Sequence, residues 1–237
     1  MKVVILAGGK GARLRPYTTI IPKPLLPVGG GMPILDVVLR QLASYGISEV
    51  HLAVGYLGEL IRTYFGKEKY GMPLHYHFDR KPLGTAGPLA NIKGLDDTFV
   101  VMNGDVLSTL DLNELIKFHK SKKAIASIAT YNRDVYIDFG ILKIDENRYL
   151  TDYIEKPTLK YSVSMGVYLF EPAVLEYIEK GEYLDFPDLI RILISKRERV
   201  VSFPFDGYWL DIGRHEDYEK AIEEFDSIKD KLFKGKE

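Results

Sequence analysis

No stretch constrains this chain more than Leu6 to Val28, LAGGKGARLRPYTTIIPKPLLPV. It follows Val3, Val4 and Ile5, a short β-branched apolar run that predicts a buried first strand. Gly8, Gly9 and Gly11 then allow backbone angles closed to other residues, so successive N–H groups can turn inward around phosphate oxygens. Arg13, Arg15 and Lys23 come next, spaced so that one loop can bring forked guanidinium contacts and an ammonium charge to the same anion. Pro16, Pro22, Pro24 and Pro27 stiffen that loop. A strand, a glycine turn and a cationic loop in this order read as a place to hold a triphosphate.

Two common nucleotide loops do not fit. The dinucleotide pattern G-x-G-x-x-G needs a third glycine where Leu14 stands, and the P-loop pattern G-x-x-x-x-G-K-[ST] fails because Gly9-Lys10 is followed by Gly11. The segment resembles instead the signature of the sugar-1-phosphate nucleotidyltransferases, G-G-x-G-x-R-L-x-P-x-T-x-x-x-P-K-P-L-x-P-V. Gly8 to Thr18 supply its first half, and Pro22-Lys23-Pro24-Leu25 with Pro27-Val28 its second.

Composition narrows the class. A chain of 237 residues suffices for one large α/β domain with a substantial core. With 32 basic and 33 acidic residues it offers no broad positive footprint for nucleic acid. Cysteine is absent, which removes disulfides, thiol nucleophiles and thiolate metal sites. The N-terminus opens on a strand, and no apolar run reaches the roughly 18 residues of a membrane span. These features predict a cytoplasmic protein that engages neither nucleic acid nor membrane; a homo-oligomer stays open.

Strand-like and helix-like segments alternate through the first half. Ile34 to Tyr45 carries Ile34, Leu35, Val38 and Leu42 at helical spacing and stops at Gly46, while Leu57 to Phe65 forms a second helix closed by Gly66. Val50 to Val54, Leu74 to Phe78 and Phe99 to Met102 read as strands. Leu112 to Ser121 is an amphipathic helix, followed by a strand over Ala124 to Tyr131. From Phe139 onward short strands, Phe139 to Ile144, Leu150 to Ile154 and Ser162 to Phe170, predict antiparallel additions. Helices resume over Pro172 to Glu179, Asp185 to Ser195 and Glu216 to Phe233. Repeated strand, loop and helix mean a layered α/β sheet. The resemblance implies its three-layer Rossmann-like, glycosyltransferase-A-like form, with a mostly parallel mixed central sheet and a small antiparallel sugar-binding portion. We expect one domain over 1–237, with 1–130 mainly for nucleotide, 131–214 mainly for sugar phosphate and 215–237 as a C-terminal helix.

Asp105 closes Asn103-Gly104-Asp105 after a strand, so its carboxylate projects where open α/β sheets collect ligands. Taken alone, such an aspartate more often bonds amides within a turn, and Asp211 in Trp209-Leu210-Asp211-Ile212-Gly213 reads equally as a strand end before a helix cap. The resemblance implies more for both. In that family a Gly-Asp after a central strand and a Trp-x-Asp-x-Gly near the C-terminus supply the magnesium ligands, so Asp105 and Asp211 are expected to hold Mg²⁺. It also implies that Pro82-Leu83-Gly84-Thr85-Ala86-Gly87 lies over the nucleobase. Glu155-Lys156-Pro157 would receive the sugar phosphate, lysine on the phosphate and glutamate on the sugar hydroxyls. Gly140, Ser164 and Gly166 join that sugar-phosphate set; Leu6, Ala7 and Gly104 join Gly8, Gly9, Gly11, Arg13, Pro82, Leu83, Gly84 and Thr85 in the nucleotide set. Catalysis would fall to Arg13, Lys23, Asp105 and Asp211.

The reaction so implied joins a sugar 1-phosphate, mannose or glucose foremost, to GTP, dTTP or UTP and releases pyrophosphate, with Mg²⁺ as cofactor. A phosphate oxygen attacks the α-phosphorus in line, and no general base is required because a phosphate monoester, with a second pKa of about 6, is largely dianionic at neutral pH. Three features depart from the family. Ser164-Met165-Gly166 stands where many relatives carry Asn-x-Gly, Asp79 is one methylene shorter than the familiar glutamate, and 237 residues leave no room for an appended left-handed β-helix. His75 and His77 share one face of a strand and, with no third ligand evident, read as packing. Two other classes stand beside the main reading: transfer to a non-sugar phosphorylated alcohol, and nucleotide-sugar binding without catalysis.

Overall fold

A computed structural model describes residues 1–79 and 81–233. Its strands are β1 (Lys2–Ala7), β2 (Pro27–Val28), β3 (Met32–Pro33), β4 (Glu49–Val54), β5 (Glu68–Lys69), β6 (Met72–Phe78), β7 (Phe99–Asn103) and β8 (Val106–Ser108). They continue as β9 (Ala126–Tyr136), β10 (Ile141–Ile144), β11 (Leu150–Ile154), β12 (Thr158–Phe170), β13 (Val200–Phe205) and β14 (Trp209–Asp211). The helices are α1 (Ile34–Ala43), α2 (Gly58–Phe65), α3 (Leu112–Lys122), α4 (Phe186–Ser195) and α5 (His215–Leu232).

Strands whose residues are apolar on both sides need cover on both faces. Val3, Val4, Ile5, Val100 and Val101 are fully buried, and they lie in the middle of an eight-stranded sheet of order β13-β9-β12-β7-β1-β4-β6-β5. Strands β7, β1, β4 and β6 run parallel; β12 runs antiparallel between β7 and β9, and β13 runs parallel to β9. One face packs Val3, Ile5 and Leu52 against Leu35, Val38, Ile61 and Leu115 of α1, α2 and α3. The other packs Val4, Val101 and Phe170 against Leu89 and, from α4, Phe186 and Leu189. This is a three-layer α/β fold with a mixed, mostly parallel sheet. A third apolar cluster joins Leu14, Leu26 and Val28 to Leu210, Ile212 and Phe225, so α5 braces the cationic loop from below.

The structure differs from the sequence reading in places. Phe139 is exposed and precedes strand β10 instead of opening it, Pro172–Tyr177 is a 3-10 helix, and β9 runs on to Tyr136. Strands β8 and β13 were not expected. The three residues of β8 pair with β14 about a hundred positions away, a partner no local window contains. Strand β13 carries Pro204, which lacks an N–H and is tolerated because β13 is the outermost strand. No helix among the described residues is long and apolar enough to cross a membrane.

Candidate active site

Parallel pairing brings three strand ends together, with Ala7 beside Val54 and Leu6 beside Asn103. The chain leaves β1 through Gly8 to Gly11, and the Tyr56 N–H, just past β4, bonds Gly8 O at 3.4 Å. Gly11 adopts a left-handed φ of 59°, and a Cβ there would stand 2.8 Å from Thr18 Cγ2. Buried Thr18 pins this turn by donating from Oγ1 to Gly11 O at 2.7 Å. The following 3-10 turn, Ala12–Leu14, sinks Leu14 into the third cluster and leaves Arg13 exposed, its guanidinium against Gly213. A third 3-10 turn, Lys23–Leu25, preceded by buried Pro22 and containing buried Pro24, aims Lys23 Nζ at Asp105 Oδ2, with which it pairs.

The two aspartates meet because two distant segments form one ribbon. The Gly104 N–H donates to Leu6 O at 3.0 Å, setting Asp105 beside the end of β1. Strand β14 pairs with β8 so that Asp211 lies opposite Val106, and the Ile212 N–H donates to Asp105 O at 3.1 Å. Asp211 keeps a solvent-exposed surface, yet surrounding protein displaces much of its water. That desolvation, with the neighbouring Asp105 charge, raises its carboxyl above the usual range, partly offset by Lys23 and Arg13. Asp105 Oδ1 is buried with no hydrogen-bond partner, which is costly for a carboxylate oxygen. An orphaned carboxylate oxygen on a residue whose charge is felt by a second carboxylate fits Mg²⁺. That ion usually takes one or two carboxylates and completes its shell with phosphate oxygens and water. No group of three or more metal-ligating side chains converges among the described residues.

Two further regions hold residues that the sequence assigns to the site. The loop from Leu83 to Gly87 docks on the chain just before α4, through Ala86 and Gly87 N–H groups on Leu184 O. In β12 the register with β9 shifts between Ser164 and Tyr168, and this bulge carries Gly166 against the Asn103 side chain. The Trp209 indole N–H holds the bulge by donating to Met165 O at 3.1 Å, and Ser164 Oγ donates to Tyr168 OH at 3.0 Å. Glu155 and Lys156 behave differently. Tyr153 OH donates to Glu155 Oε2 at 2.8 Å, Lys156 Nζ lies 3.5 Å from Asp138, and Gly140 packs on the Tyr153 ring, so these residues contact the β10–β11 arm and neither aspartate.

The nucleotidyl transferase family model matches residues 2–227. The chain belongs to that family. Among curated relatives, the UTP–glucose-1-phosphate uridylyltransferase of Synechocystis sp. is 35% identical over 243 residues, covering 94% of this chain and 62% of that protein. A mannose-1-phosphate guanyltransferase of Candida albicans is 33% identical over 228 residues, covering 92% and 62%. This nucleotidyl transferase chain thus spans about 62% of the length of both. The crystal structure of HddC from Yersinia pseudotuberculosis complexed with GMP-PN superposes with a TM-score of 0.73 at 26% identity, covering 94% of this chain and 99% of that one.

Two residues that shape the candidate site, Asp217 and Asn103, escaped the sequence reading as site residues. Asp217 accepts from the Gly213 and Arg214 N–H groups at 3.1 and 2.8 Å and so fixes the turn after Asp211; an acidic residue in the first turn of a helix is its one local signal. Asn103 was legible only as part of a turn. Away from the site, His75 and His77 acquire a third imidazole, His51, which lies opposite His75 on β4. His51 Nδ1 bonds His77 Nε2 at 2.9 Å, and Glu49 beside them is held by Lys2 Nζ at 2.8 Å.

Proposed function

We propose that this chain transfers a nucleotidyl group from a nucleoside triphosphate to a sugar 1-phosphate, giving a nucleotide-sugar and pyrophosphate. One observation carries this reading: Arg13 and Lys23, which follow the Gly8–Gly11 turn, approach Asp105, just past the end of β7, and Asp211, at the end of β14. Cations for phosphate and carboxylates for Mg²⁺ are the two requirements of phosphoryl transfer by positioning and charge neutralisation.

The amides of Gly8, Gly9 and Gly11, with Arg13, take the phosphate oxygens of the triphosphate. Lys23 is the ammonium for the α-phosphate, and Leu6, Ala7, Gly104 and Pro82 to Thr85 enclose the nucleoside. Held by Asp105 and Asp211, Mg²⁺ would neutralise phosphate charge and favour departure of pyrophosphate. The sugar-phosphate oxygen bonds the α-phosphorus as its bond to the bridging oxygen breaks, and pyrophosphate leaves with that electron pair. Lys156 offsets the repulsion between the two anions, and Glu155, Gly140, Ser164 and Gly166 orient the sugar. Residues 1–130 thus serve mainly the nucleotide and 131–214 mainly the sugar phosphate. The names of the relatives support mannose or glucose 1-phosphate as acceptor and GTP or UTP as donor, and the sequence resemblance adds dTTP. The test is pyrophosphate release with Mg²⁺ across five nucleoside triphosphates against glucose, mannose, galactose and N-acetylglucosamine 1-phosphates. One dominant pair is expected; a blank grid from folded protein would contradict the reading.

A further inference from the structure

The loop expected over the nucleobase is held by a residue that no sequence motif marks. Asp185 is the N-cap of α4, yet its side chain does not cap its own helix. Thr85, a hundred positions earlier, does so instead: its Oγ1 accepts from the Phe186 N–H at 2.9 Å. Asp185 Oδ1 in turn accepts the Thr85 N–H at 2.9 Å and the Thr85 hydroxyl at 3.1 Å, so the two residues are tied to each other by reciprocal bonds across the joint. Tyr183 OH donates to the other carboxylate oxygen at 2.6 Å, which fixes Asp185 from the far side. The Ala86 and Gly87 N–H groups close the same joint on Leu184 O at 2.9 and 3.0 Å, and the Leu184 N–H returns a bond to Leu83 O at 3.0 Å. Gly84, at φ 76°, passes so near that a Cβ would collide with the Leu184 carbonyl. Thr85, Ala86 and Gly87 thus spend their N–H groups on the joint, and the loop's orientation is set by the chain before α4.

Resting on the reaction proposed above, we infer that Asp185 is a positioning residue for the nucleotide, acting through Thr85 to hold the nucleobase loop. It touches no reacting atom; its contribution falls on triphosphate binding and leaves the sugar-phosphate side unchanged.

Kinetics and calorimetry of Asp185→Ala and Asp185→Asn test this. The alanine variant loses both bonds from Thr85 and is expected to raise the KM for the triphosphate about tenfold, with the sugar 1-phosphate KM within about twofold of wild type. The asparagine variant keeps an acceptor for the Thr85 N–H and is expected to recover most of that loss. Equal rises in both KM values, an unchanged triphosphate KM, or an asparagine variant no better than alanine would overturn the inference. Calorimetric titration with dTTP, UTP and GTP in Mg²⁺ gives a readout free of turnover. Wild-type protein that binds a triphosphate more tightly than Asp185→Ala but never turns over would sink the reaction and leave the positioning role standing. Wild-type protein that binds none of the three would overturn both.

Discussion

Alanine at Gly11 would place a Cβ 2.8 Å from Thr18 Cγ2 at a left-handed backbone angle. The strain amounts to about 2 kcal/mol and is expected to lower the thermal midpoint by roughly 5 °C, read by scanning calorimetry, while weakening triphosphate binding. His51 governs a different property. Burial, and then the neighbouring His77, pull its pKa down from 6.5 to about 4, against a smaller opposing effect of Glu49. Between those two values the unfolded chain holds a proton at His51 that the native state does not, so stability is complete above pH 6.5 and falls as the pH drops toward 4. Urea titrations at pH 7 and pH 5 are expected to differ by about 2 kcal/mol from this group alone, and His51→Phe to show a difference smaller by that amount. An identical difference in the variant would assign the pH dependence elsewhere. At this scale the sequence displayed what is local. Arg13 and Lys23 announce themselves because their order within one loop is their geometry. Asp185 and His51 stay silent because Thr85 and His75 lie on other segments, and pairing across segments is set by register.

Elements were legible where their pattern was internal. The five helices follow apolar spacing, and α2 begins at Gly58 just past Leu57, whose φ of 55° breaks the expected first turn. The β8–β14 ribbon was invisible for the opposite reason: each strand has three residues, and only tertiary pairing makes them strands. That ribbon, more than any single motif, is what brings Asp211 to Asp105. Helix α5 stands behind the same loops, its Phe225 ring filling the space that a Cβ on Gly29 would need. Phe225 is almost fully buried, so Phe225→Ala is expected to cost about 3 to 5 kcal/mol, measured by denaturant unfolding. The β10–β11 hairpin is the contrary case. It forms its own two-stranded sheet, with Leu142, Ile144, Leu150 and Tyr153 exposed, and isolated hairpins are marginal in water. Amides of Ile141–Ile144 and Leu150–Ile154 are expected to exchange with solvent well before those of β1, β4 and β7. Exchange as slow as in the central strands would show that the arm is part of the rigid core.

Over the whole molecule, a mixed sheet covered on both faces sets three parallel strand ends side by side, and the connections leaving those ends carry the site. The layered fold was readable from alternation alone; the strand order was not, because β12 inserts between β7 and β9 from late in the chain. That insertion also places the Ser164–Gly166 bulge beside Asn103, which joins the segment proposed for the sugar to the one proposed for the nucleotide. The central claim is that Asp105 and Asp211 act together on phosphates bound there. Its most direct test is Mg²⁺-dependent pyrophosphate release, with the productive substrate pair, by wild type, Asp105→Asn and Asp211→Asn. Release is expected only with triphosphate, sugar 1-phosphate and Mg²⁺ all present, and is expected to fall at least about a hundredfold in each variant while circular dichroism shows an intact fold. A variant that turns over like wild type would contradict the account.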